Sequence, residues 1–391
     1  MKIDILSWIN IRTLVTICSL LAIVAAVQSY YLPAMTAAGS EHLYPRYNNY
    51  IIFKQSYFHL VEGDNLYQQY PEESWDLYKY SPTFALFFGI LAWLPDLPGL
   101  ILWNLINSLF LLCAIWYLPV AGQQKKMLIV LSLLIELMTS LQNEQSNGLI
   151  AGLIIFSFGF LERNKPALAS LAIVFSVFIK LFGIVALVLY LLYPIKRKLL
   201  LHTAVCIIIF FALPLLVITP DQLVFQYKSW LNLLAADHTT SYGFSVMGLF
   251  VTWFGLEVNK IMLALAGFYL MLLPLLIKYK YYGNSRFRIL TLASMLIWVV
   301  IFNHKAESPT FIIAMSGIAV WFWSGRQNPL SILLFVLALI FTSLSPTDLF
   351  PRVIRETVFV PYVAKAVPCI IIWLNIVYEM MVFKTEVVSS E

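Results

Sequence analysis

The chain has 391 residues, of which 61% are hydrophobic and 12% are charged, and its mean hydropathy is +0.84. Soluble globular proteins are about 45–50% apolar and about 25% charged, so this composition excludes an ordinary soluble domain. It predicts a single polytopic membrane domain over 1–391, built as an all-α helical bundle. The formal net charge of +5 comes from basic residues scattered through loops, so no nucleic acid is expected as a partner.

Long apolar runs predict the membrane crossings. A crossing needs about 20 apolar residues, and shorter helices suffice where a bundle is thin. The twelve predicted spans are 12–31, 99–119, 127–142, 148–162, 167–180, 181–194, 200–219, 259–278, 288–303, 309–325, 329–344 and 362–382. The first run could instead be a signal peptide cleaved near 25–29, but the loop that follows needs anchoring, which favours an uncleaved helix.

Charged residues predict the orientation of these spans, since short cytoplasmic loops are enriched in Lys and Arg. With the N-terminus in the cytoplasm, the inner loops contain Lys125, Lys126, Arg163, Lys165, Lys196, Arg197, Lys198, Lys278, Lys280, Arg286, Arg288, Arg326 and Lys384. The outer loops contain the acids Glu41, Glu62, Asp64, Glu72, Glu73, Asp76, Glu144, Asp221, Asp237, Glu307, Asp348 and Glu356. We therefore expect a multi-pass protein of the cell (inner) membrane with both termini in the cytoplasm.

The apolar segment 82–94 does not fit this pattern, because it spans only about 20 Å as a helix. Counting it as a crossing would place the basic clusters outside, so we interpret it as a re-entrant segment on the outer side. The alternative is that it crosses and that the loop at 125–126 faces outward. A similar short segment at 245–256 follows the outer loop 220–244, and 220–256 forms a predicted second extracytoplasmic region.

A first extracytoplasmic loop at 32–80 is too long for a simple connector and is rich in acids and aromatic residues. Within it, residues 50–62 have helical apolar spacing and predict an amphipathic interfacial helix. The structural alternative is a solvated loop with an aromatic belt, although such belts do not need this density of acids.

Three shorter polar features are predicted on the same side of the membrane. The segment 143–147 lies between two helices, Lys180 lies at the turn of an apolar hairpin, and 303–309 interrupts two spans. Their structural alternatives are capped turns and, for Lys180, an ammonium that reaches the interface. The segment 237–243 also contains Asp and His, but a polar loop is the better interpretation there.

The functional interpretation of these features is anion binding. The ammonium of Lys180 would supply a point charge for a phosphate. In 303–309, His304 titrates near neutral pH, and a helix beginning at Pro309 after Ser308 would direct its N-terminus at the site.

Sequence motifs for cytosolic nucleotides and metals are missing. There is no Walker A loop and no G-x-G-x-x-G after a strand, and the four cysteines lack the spacing of metal ligands. We therefore expect no cofactor and no metal. An enzyme at the outer boundary needs a donor that is already in the membrane, which favours a lipid-linked substrate.

Several short motifs follow one another along the chain. They are Gly63-Asp64-Asn65-Leu66-Tyr67, Tyr80-Ser81-Pro82 with Pro95, Leu102-Trp103 with Asn107, Glu144-Gln145-Ser146-Asn147, Ile179-Lys180-Leu181-Phe182, and His304 with Ser308-Pro309. In this order they resemble the C-type glycosyltransferase superfamily, most closely glycosyltransferase family 87, which includes polyprenyl-phosphate-mannose-dependent mannosyltransferases. The resemblance implies a helical bundle that moves a mannose-like hexose from a polyprenyl-phosphate sugar to a glycolipid or polysaccharide acceptor on the extracytoplasmic face.

A transfer reaction of this kind also predicts site residues. The donor phosphate would be held by Lys180, Lys305 and Arg46, and the sugar or acceptor by Tyr67, Trp75, Tyr80, Gln145 and Asn147. The family has an Asp, thought to be the catalytic base, fourteen residues before Gly63, where this chain has Asn49 beside Asn48. An amide cannot accept a proton from a hydroxyl, so Glu307, Asp64 or Asp76 would serve, with His304 assisting.

Two other classes of function stay open. One is a transporter or flippase for lipid-linked sugars, although the chain lacks a convincing internal repeat. The other is a non-catalytic accessory subunit of a glycan-assembly complex, which the amide at Asn49 favours. Membrane lipids are expected partners, and the sequence predicts no oligomeric state.

Overall fold

The structure, a computed structural model, describes residues 10–36, 42–120, 122–236 and 241–384. These residues are mostly helical. Their β-structure is a two-stranded antiparallel hairpin in which Met35 pairs with Tyr44 and Thr36 with Leu43. The all-α class expected from composition is therefore confirmed.

Four helices are long and apolar enough to cross a membrane, namely Ile11–Tyr31, Asp96–Tyr117, Lys196–Leu216 and Lys260–Ile277. Seven shorter apolar helices are Pro82–Ala92, Asn147–Glu162, Pro166–Ile179, Leu181–Leu192, Ser308–Ser324, Pro329–Leu344 and Val367–Met381. The chain thus has the character of a multi-pass membrane protein, while the expected number of twelve crossings stays a prediction.

The chain divides into two compact units. The first comprises Met1–Pro119, Leu134–Leu187 and Ile195–Thr240, and the second Val120–Leu133, Val188–Pro194 and Ser241–Glu391. Whether they act as one domain, as expected from composition, stays a prediction.

The helices of the first unit, in chain order, are α1 Ile11–Tyr31, α2 Asn48–Glu62, α3 Pro82–Ala92, α4 Asp96–Tyr117, the part of α5 Gln123–Leu141 from Leu134 onward, α6 Asn147–Glu162, α7 Pro166–Ile179, α8 Lys196–Ala212 and α9 Pro220–Ala236. In its core α1 packs on α4, α4 on α6, α6 on α7, and α7 on α8. Glycines permit the close approach of α4 and α6, since a Cβ on Gly152 would lie 2.7 Å from the ring of Phe110.

The second unit contains the part of α5 up to Leu133, followed by α10 Val246–Phe254, α11 Lys260–Ile277, α12 Ser285–Ile301, α13 Phe311–Ser324, α14 Pro329–Ala338, α15 Arg352–Ile354 and α16 Val367–Met381. A 3₁₀ turn, Ser308–Thr310, precedes α13, and π-helical segments, Leu339–Leu344 and Arg355–Phe359, continue α14 and α15. The core is formed where α12 packs on α13 and α16. There the indole of Trp373 donates a 3.0 Å hydrogen bond to the hydroxyl of Ser294.

Local sequence explains several helix ends. Ser81 accepts a hydrogen bond from Phe84 N, and Pro82 follows at the first helical position of α3. Gly63 ends α2 in the left-handed conformation with φ of 83°. The expected interfacial helix at 50–62 and the short helix at 82–94 therefore exist as α2 and α3, each within two residues of the prediction.

Three expectations about local structure need correction. The outer loop predicted at 220–244 contains α9, because its residues Leu223, Tyr227 and Trp230 recur at helical spacing and are buried. The helix expected to begin at Pro309 begins at Ser308, with Glu307 at the N-cap. The predicted span 181–194 is a 3₁₀ helix, Leu181–Leu192, not an α-helix. Residues 237–240 of the polar segment 237–243 lie outside the described residues.

Candidate functional site

In the first unit, Lys180 lies at the C-terminal end of α7 in extended conformation, with φ of −136° and ψ of 139°. Its Nζ donates to Asn147 Oδ1 at 3.1 Å and to Gln145 Oε1 at 3.4 Å. The same nitrogen lies 5.4 Å from the centroid of the Tyr80 ring. The structure thus brings together four residues that the sequence predicted for the phosphate and the sugar, and we call them the Lys180 cluster.

The turn between α5 and α6 positions the amides of this cluster. Asn147 is the first residue of α6, and its Nδ2 donates to Gln145 Oε1 at 2.7 Å. Glu144 adopts a left-handed conformation with φ of 49°, which reverses the chain just before Gln145. The two amide oxygens therefore face the ammonium, and a polar wall forms around one cation.

Aromatic side chains fix the backbone around Tyr80 through hydrogen bonds. Tyr67 donates its hydroxyl to the carbonyl of Tyr80 at 2.9 Å, and Tyr78 donates to the carbonyl of Ser81 at 2.7 Å. Burial raises the pKa of both phenols well above the ordinary value, so both stay protonated and act as donors. From α9, Trp230 Nε1 donates to the carbonyl of Lys79 at 3.2 Å. These bonds hold the 78–81 segment rigidly beside Lys180.

The two asparagines at the start of α2 make structural bonds. Asn49 Nδ2 donates to the carbonyl of Asn143 at 2.9 Å, so Asn49 lies beside the 143–147 turn. Asn48 Oδ1 accepts from the backbone N–H of Trp75 at 3.3 Å, and the Trp75 ring contacts Tyr44 edge-on at 5.6 Å. The amide of Asn49 thus acts as a donor to the backbone, a role that a carboxylate could not fill.

The remaining predicted residues of this unit lie at its surface. Arg46 is exposed and donates through Nε to the carbonyl of Pro33 at 3.0 Å. Asp64 is exposed just beyond the end of α2. Asp76 accepts from Lys79 Nζ through both carboxylate oxygens at 2.9 Å.

Sequence reasoning did not single out Glu144, which is 1% exposed. Its Oε1 has no hydrogen-bond partner among the described residues, and its carbonyl accepts from Trp103 Nε1 at 2.7 Å. Burial raises the pKa of this carboxyl well above its ordinary value. The available signal was the acid itself, which opens the motif Glu144-Gln145-Ser146-Asn147.

A second group that sequence reasoning missed is a His–Glu pair. His59 Nε2 lies 3.2 Å from Glu73 Oε2, and the His59 ring stacks on Tyr70 at 3.8 Å. The two partners are fourteen residues apart across an irregular loop, a separation to which no periodic pattern applies.

In the second unit, the 303–309 segment packs against the backbone that precedes α10. Phe244 N donates to the carbonyl of Ala306 at 2.9 Å, and a Cβ on Gly243 would lie 2.8 Å from the carbonyl oxygen of His304. Within the segment, Lys305 N donates to Asn303 Oδ1 at 3.0 Å. His304 and Lys305 are half-buried and Glu307 is exposed, so all three side chains can reach solvent.

Potential metal ligands were compared by their positions in the fold. Among the residues that the structure describes, no group of three or more His, Cys, Asp and Glu side chains could hold a metal ion.

Comparison with known proteins identifies the family. The family model described as Glycosyltransferase family 87 matches residues 78–346, which is more than half of the chain. The matched region contains the Lys180 cluster and the 303–309 segment, whereas Asn49, Asp64, Tyr67 and Trp75 precede it. No curated protein matches the chain. The chain therefore belongs to glycosyltransferase family 87 and is a membrane glycosyltransferase by family.

Proposed function

We propose that the protein transfers a mannose-like hexose from a polyprenyl-phosphate sugar to a glycolipid or polysaccharide acceptor of the cell envelope. The observation that carries this proposal is the Lys180 cluster, in which one ammonium, two side-chain amides and an aromatic ring converge. An ammonium suits a phosphate, and amides with an aromatic face suit a sugar ring.

The proposed reaction breaks one bond and forms another at the anomeric carbon. An acceptor hydroxyl attacks that carbon, its oxygen forms the new glycosidic bond, and the bond to the phosphate oxygen breaks. The lipid phosphate leaves with the electron pair and is stabilised as an anion by Lys180, with Arg46 of the same unit assisting. Positioning and electrostatic stabilisation therefore supply the catalysis.

The hydroxyl proton needs an acceptor. Asn49 cannot provide one, because a neutral amide is not basic enough to take a proton. Asp76 is less suited than the other carboxylates, because both of its oxygens already accept hydrogen bonds from Lys79 Nζ. We propose Asp64 or Glu307 as the base, with His304 near Glu307 in sequence as an assisting group.

The proposed reaction takes place on the extracytoplasmic face of the cell (inner) membrane. In the proposed topology the chain crosses this membrane twelve times and has both termini in the cytoplasm. The distribution of basic loops supports this orientation. Helix α3 has 11 residues and is therefore about 17 Å long, too short to cross a bilayer core of about 30 Å. Its length supports the interpretation of a re-entrant helix.

A transfer assay tests the function directly. The purified protein in nanodiscs would receive polyprenyl-phosphate mannose, glucose or arabinose, or the diphosphate-linked N-acetylhexosamine, together with a membrane lipid extract. Mass spectrometry would detect a new glycosylated product with one donor. Donor binding without product under any acceptor would instead favour the accessory or flippase function, which the engagement of Asn49 by Asn143 also favours.

The variant Lys180→Ala should reduce transfer by about 100-fold or more, because it removes the cation beside the leaving phosphate. The matched control is Lys228→Ala, which removes an exposed ammonium from α9 of the same unit and should leave the rate unchanged. Initial rates with the active donor measure the effect. An unchanged rate for Lys180→Ala would remove this residue from the mechanism.

A further inference from the structure

A cavity of about 490 Å³ lies within the second unit. Its charged lining residues are Arg352, Arg355, Glu356 and Lys365. The volume falls in the range of about 300–1,000 Å³ that is typical of small-molecule sites. The 303–309 segment contributes Ser308 to the wall.

Two of the cations are placed for a ligand. Lys365 is only 3% exposed, and its Nζ lies 5.2 Å from the centroid of the Phe311 ring. Arg355 donates through Nη1 to the carbonyl of Pro346 at 3.1 Å, while its Nη2 lies 2.8 Å from Asp348 Oδ1. The third nitrogen, Nε, is buried and has no hydrogen-bond partner among the described residues. Arg355 therefore has a donor left for an additional acceptor.

The hydroxyl of Ser308 is a second buried donor that can bind a ligand. Its Oγ is buried without a hydrogen-bond partner among the described residues, and Ser308 lines the cavity. A buried donor without a partner is unfavourable, and both residues line the same cavity, so they indicate a ligand that accepts hydrogen bonds.

The charge balance of the lining selects an anion. Three cations face one carboxylate, Glu356, which gives the lining a net charge of +2 (3 − 1). Glu356 is 2.6 Å from Arg352 in a pair that lies at the surface. Asp348, the ion-pair partner of Arg355, is 96% exposed, and such surface pairs are weak. An incoming anion can therefore compete with both carboxylates.

The apolar surroundings select an amphiphile. The cavity wall includes Phe244, Phe359 and Val360. Beside it, the segment 349–362 exposes several large apolar side chains, including Leu349 and Val353. Exposed apolar residues interleaved with charged ones are typical of an interfacial segment at the membrane surface.

We propose that this cavity binds the phosphate of a membrane lipid, with the lipid chain along the apolar residues of 349–362. Phosphate oxygens would accept from Arg355 Nε and Ser308 Oγ and would lie beside Lys365. Both a polyprenyl phosphate and a phosphomonoester lipid such as phosphatidic acid supply this chemistry. The proposal concerns binding and does not depend on the transfer reaction.

The test is lipid binding to the full-length protein in neutral detergent, measured by native mass spectrometry and by the rise in Tm on titration. The probes are polyprenyl phosphate, phosphatidic acid, diacylglycerol with the same chains, and inorganic phosphate. Phosphate-headed lipids should bind, while diacylglycerol and inorganic phosphate should bind at least tenfold more weakly. A preference of tenfold or more for polyprenyl phosphate would identify it as the occupant, and equal affinity would identify a general site for phosphate-headed lipids.

The variants are Arg355→Gln, Ser308→Ala and Lys365→Gln, with Lys280→Gln as the matched control, since Lys280 is exposed and outside the cavity. Arg355→Gln should weaken phosphatidic acid binding about tenfold, because it removes a charge-assisted contact. The control should bind as the wild type does. Arg355 is partly exposed, so this variant keeps the test valid if Lys365→Gln fails to fold. Wild-type binding by a folded Arg355→Gln variant, or equally tight binding of inorganic phosphate, would overturn the proposal.

Discussion

Both the backbone conformation and the buried carboxyl of Glu144 are energetically unfavourable. A non-glycine residue in the left-handed region costs about 1 kcal/mol, and its φ is 49°. A buried carboxyl without a partner for one oxygen is costly when it is ionised. These costs lie directly beside the Lys180 cluster, in a turn that also anchors Asn49. Strain of this kind persists only where the surrounding structure imposes it, and it is common at functional sites.

The carboxyl of Glu144 should make stability depend on pH. Its pKa is raised in the folded protein above the ordinary 4.5, so the folded state retains a proton that the unfolded state releases. The contribution of Glu144 to the free energy of unfolding is therefore fully present below about pH 4.5. It is lost as pH rises towards the folded pKa, by up to about 1.4 kcal/mol per pH unit. Glu144→Gln, which resembles the protonated acid, should abolish this loss.

Thermal unfolding in nanodiscs between about pH 5 and 8 measures the effect. The control is Glu62→Gln at the exposed end of α2, which should keep the pH dependence of the wild type. A Glu144→Gln variant with the wild-type slope would show that another group titrates.

At the scale of elements, helix α9 shows why a loop prediction failed. Its sequence is polar enough to suggest an outer loop, yet it forms an amphipathic helix whose buried side faces α3 and the 63–67 segment. Tyr227 shares a 2.8 Å hydrogen bond with Thr83, and Gln226 Oε1 accepts from Leu66 N at 3.2 Å. These partners are more than 140 residues away in sequence, so a local window does not detect them.

The contact between Gly243 and the 303–306 backbone gives an element-scale prediction. Gly243 has φ of 53°, and a Cβ there would lie within 2.9 Å of three backbone atoms of His304 and Ala306. Gly255 has φ of 64° but open space around it. Gly255→Ala should cost about 1 kcal/mol for conformation alone, and Gly243→Ala a further 1–3 kcal/mol, roughly, for overpacking.

The difference in Tm between these two alanine variants isolates the close approach, because both share the left-handed conformation. Gly243→Ala should also disturb transfer if the 303–309 segment takes part in the reaction. Equal Tm values would mean that the segment shifts without cost.

At the scale of the whole molecule, the orientation across the membrane is the main prediction still to be tested. In a variant whose cysteines at 18, 113, 206 and 369 are replaced by Ala, Glu72→Cys should react with a membrane-impermeant maleimide on spheroplasts. Arg197→Cys should react only after lysis. Both side chains are exposed, so access to reagent depends on the side of the membrane.

Labelling of Arg197→Cys on intact spheroplasts, with protection of Glu72→Cys, would show that the orientation is the reverse of the predicted one. It would also place the proposed active site on the cytoplasmic side. Labelling of both positions on intact spheroplasts would place them on the same side of the membrane. The chain would then cross the membrane an even number of times between 72 and 197, which contradicts the predicted topology.

The membrane class, the positions of most helices and the family were determined by sequence, because apolar run length, loop charge and motif order are properties of local stretches of chain. The pairing of elements was decided by tertiary structure. Lys180 meets Asn147 across 33 residues and Tyr80 across a hundred, and Arg355 and Ser308 share a cavity wall. Burial also raises the pKa of the Glu144 carboxyl, an effect that depends on surrounding atoms and not on neighbours in sequence. Hydrogen bonds, cavities and desolvation arise from contacts between distant residues, and only a folded chain contains them.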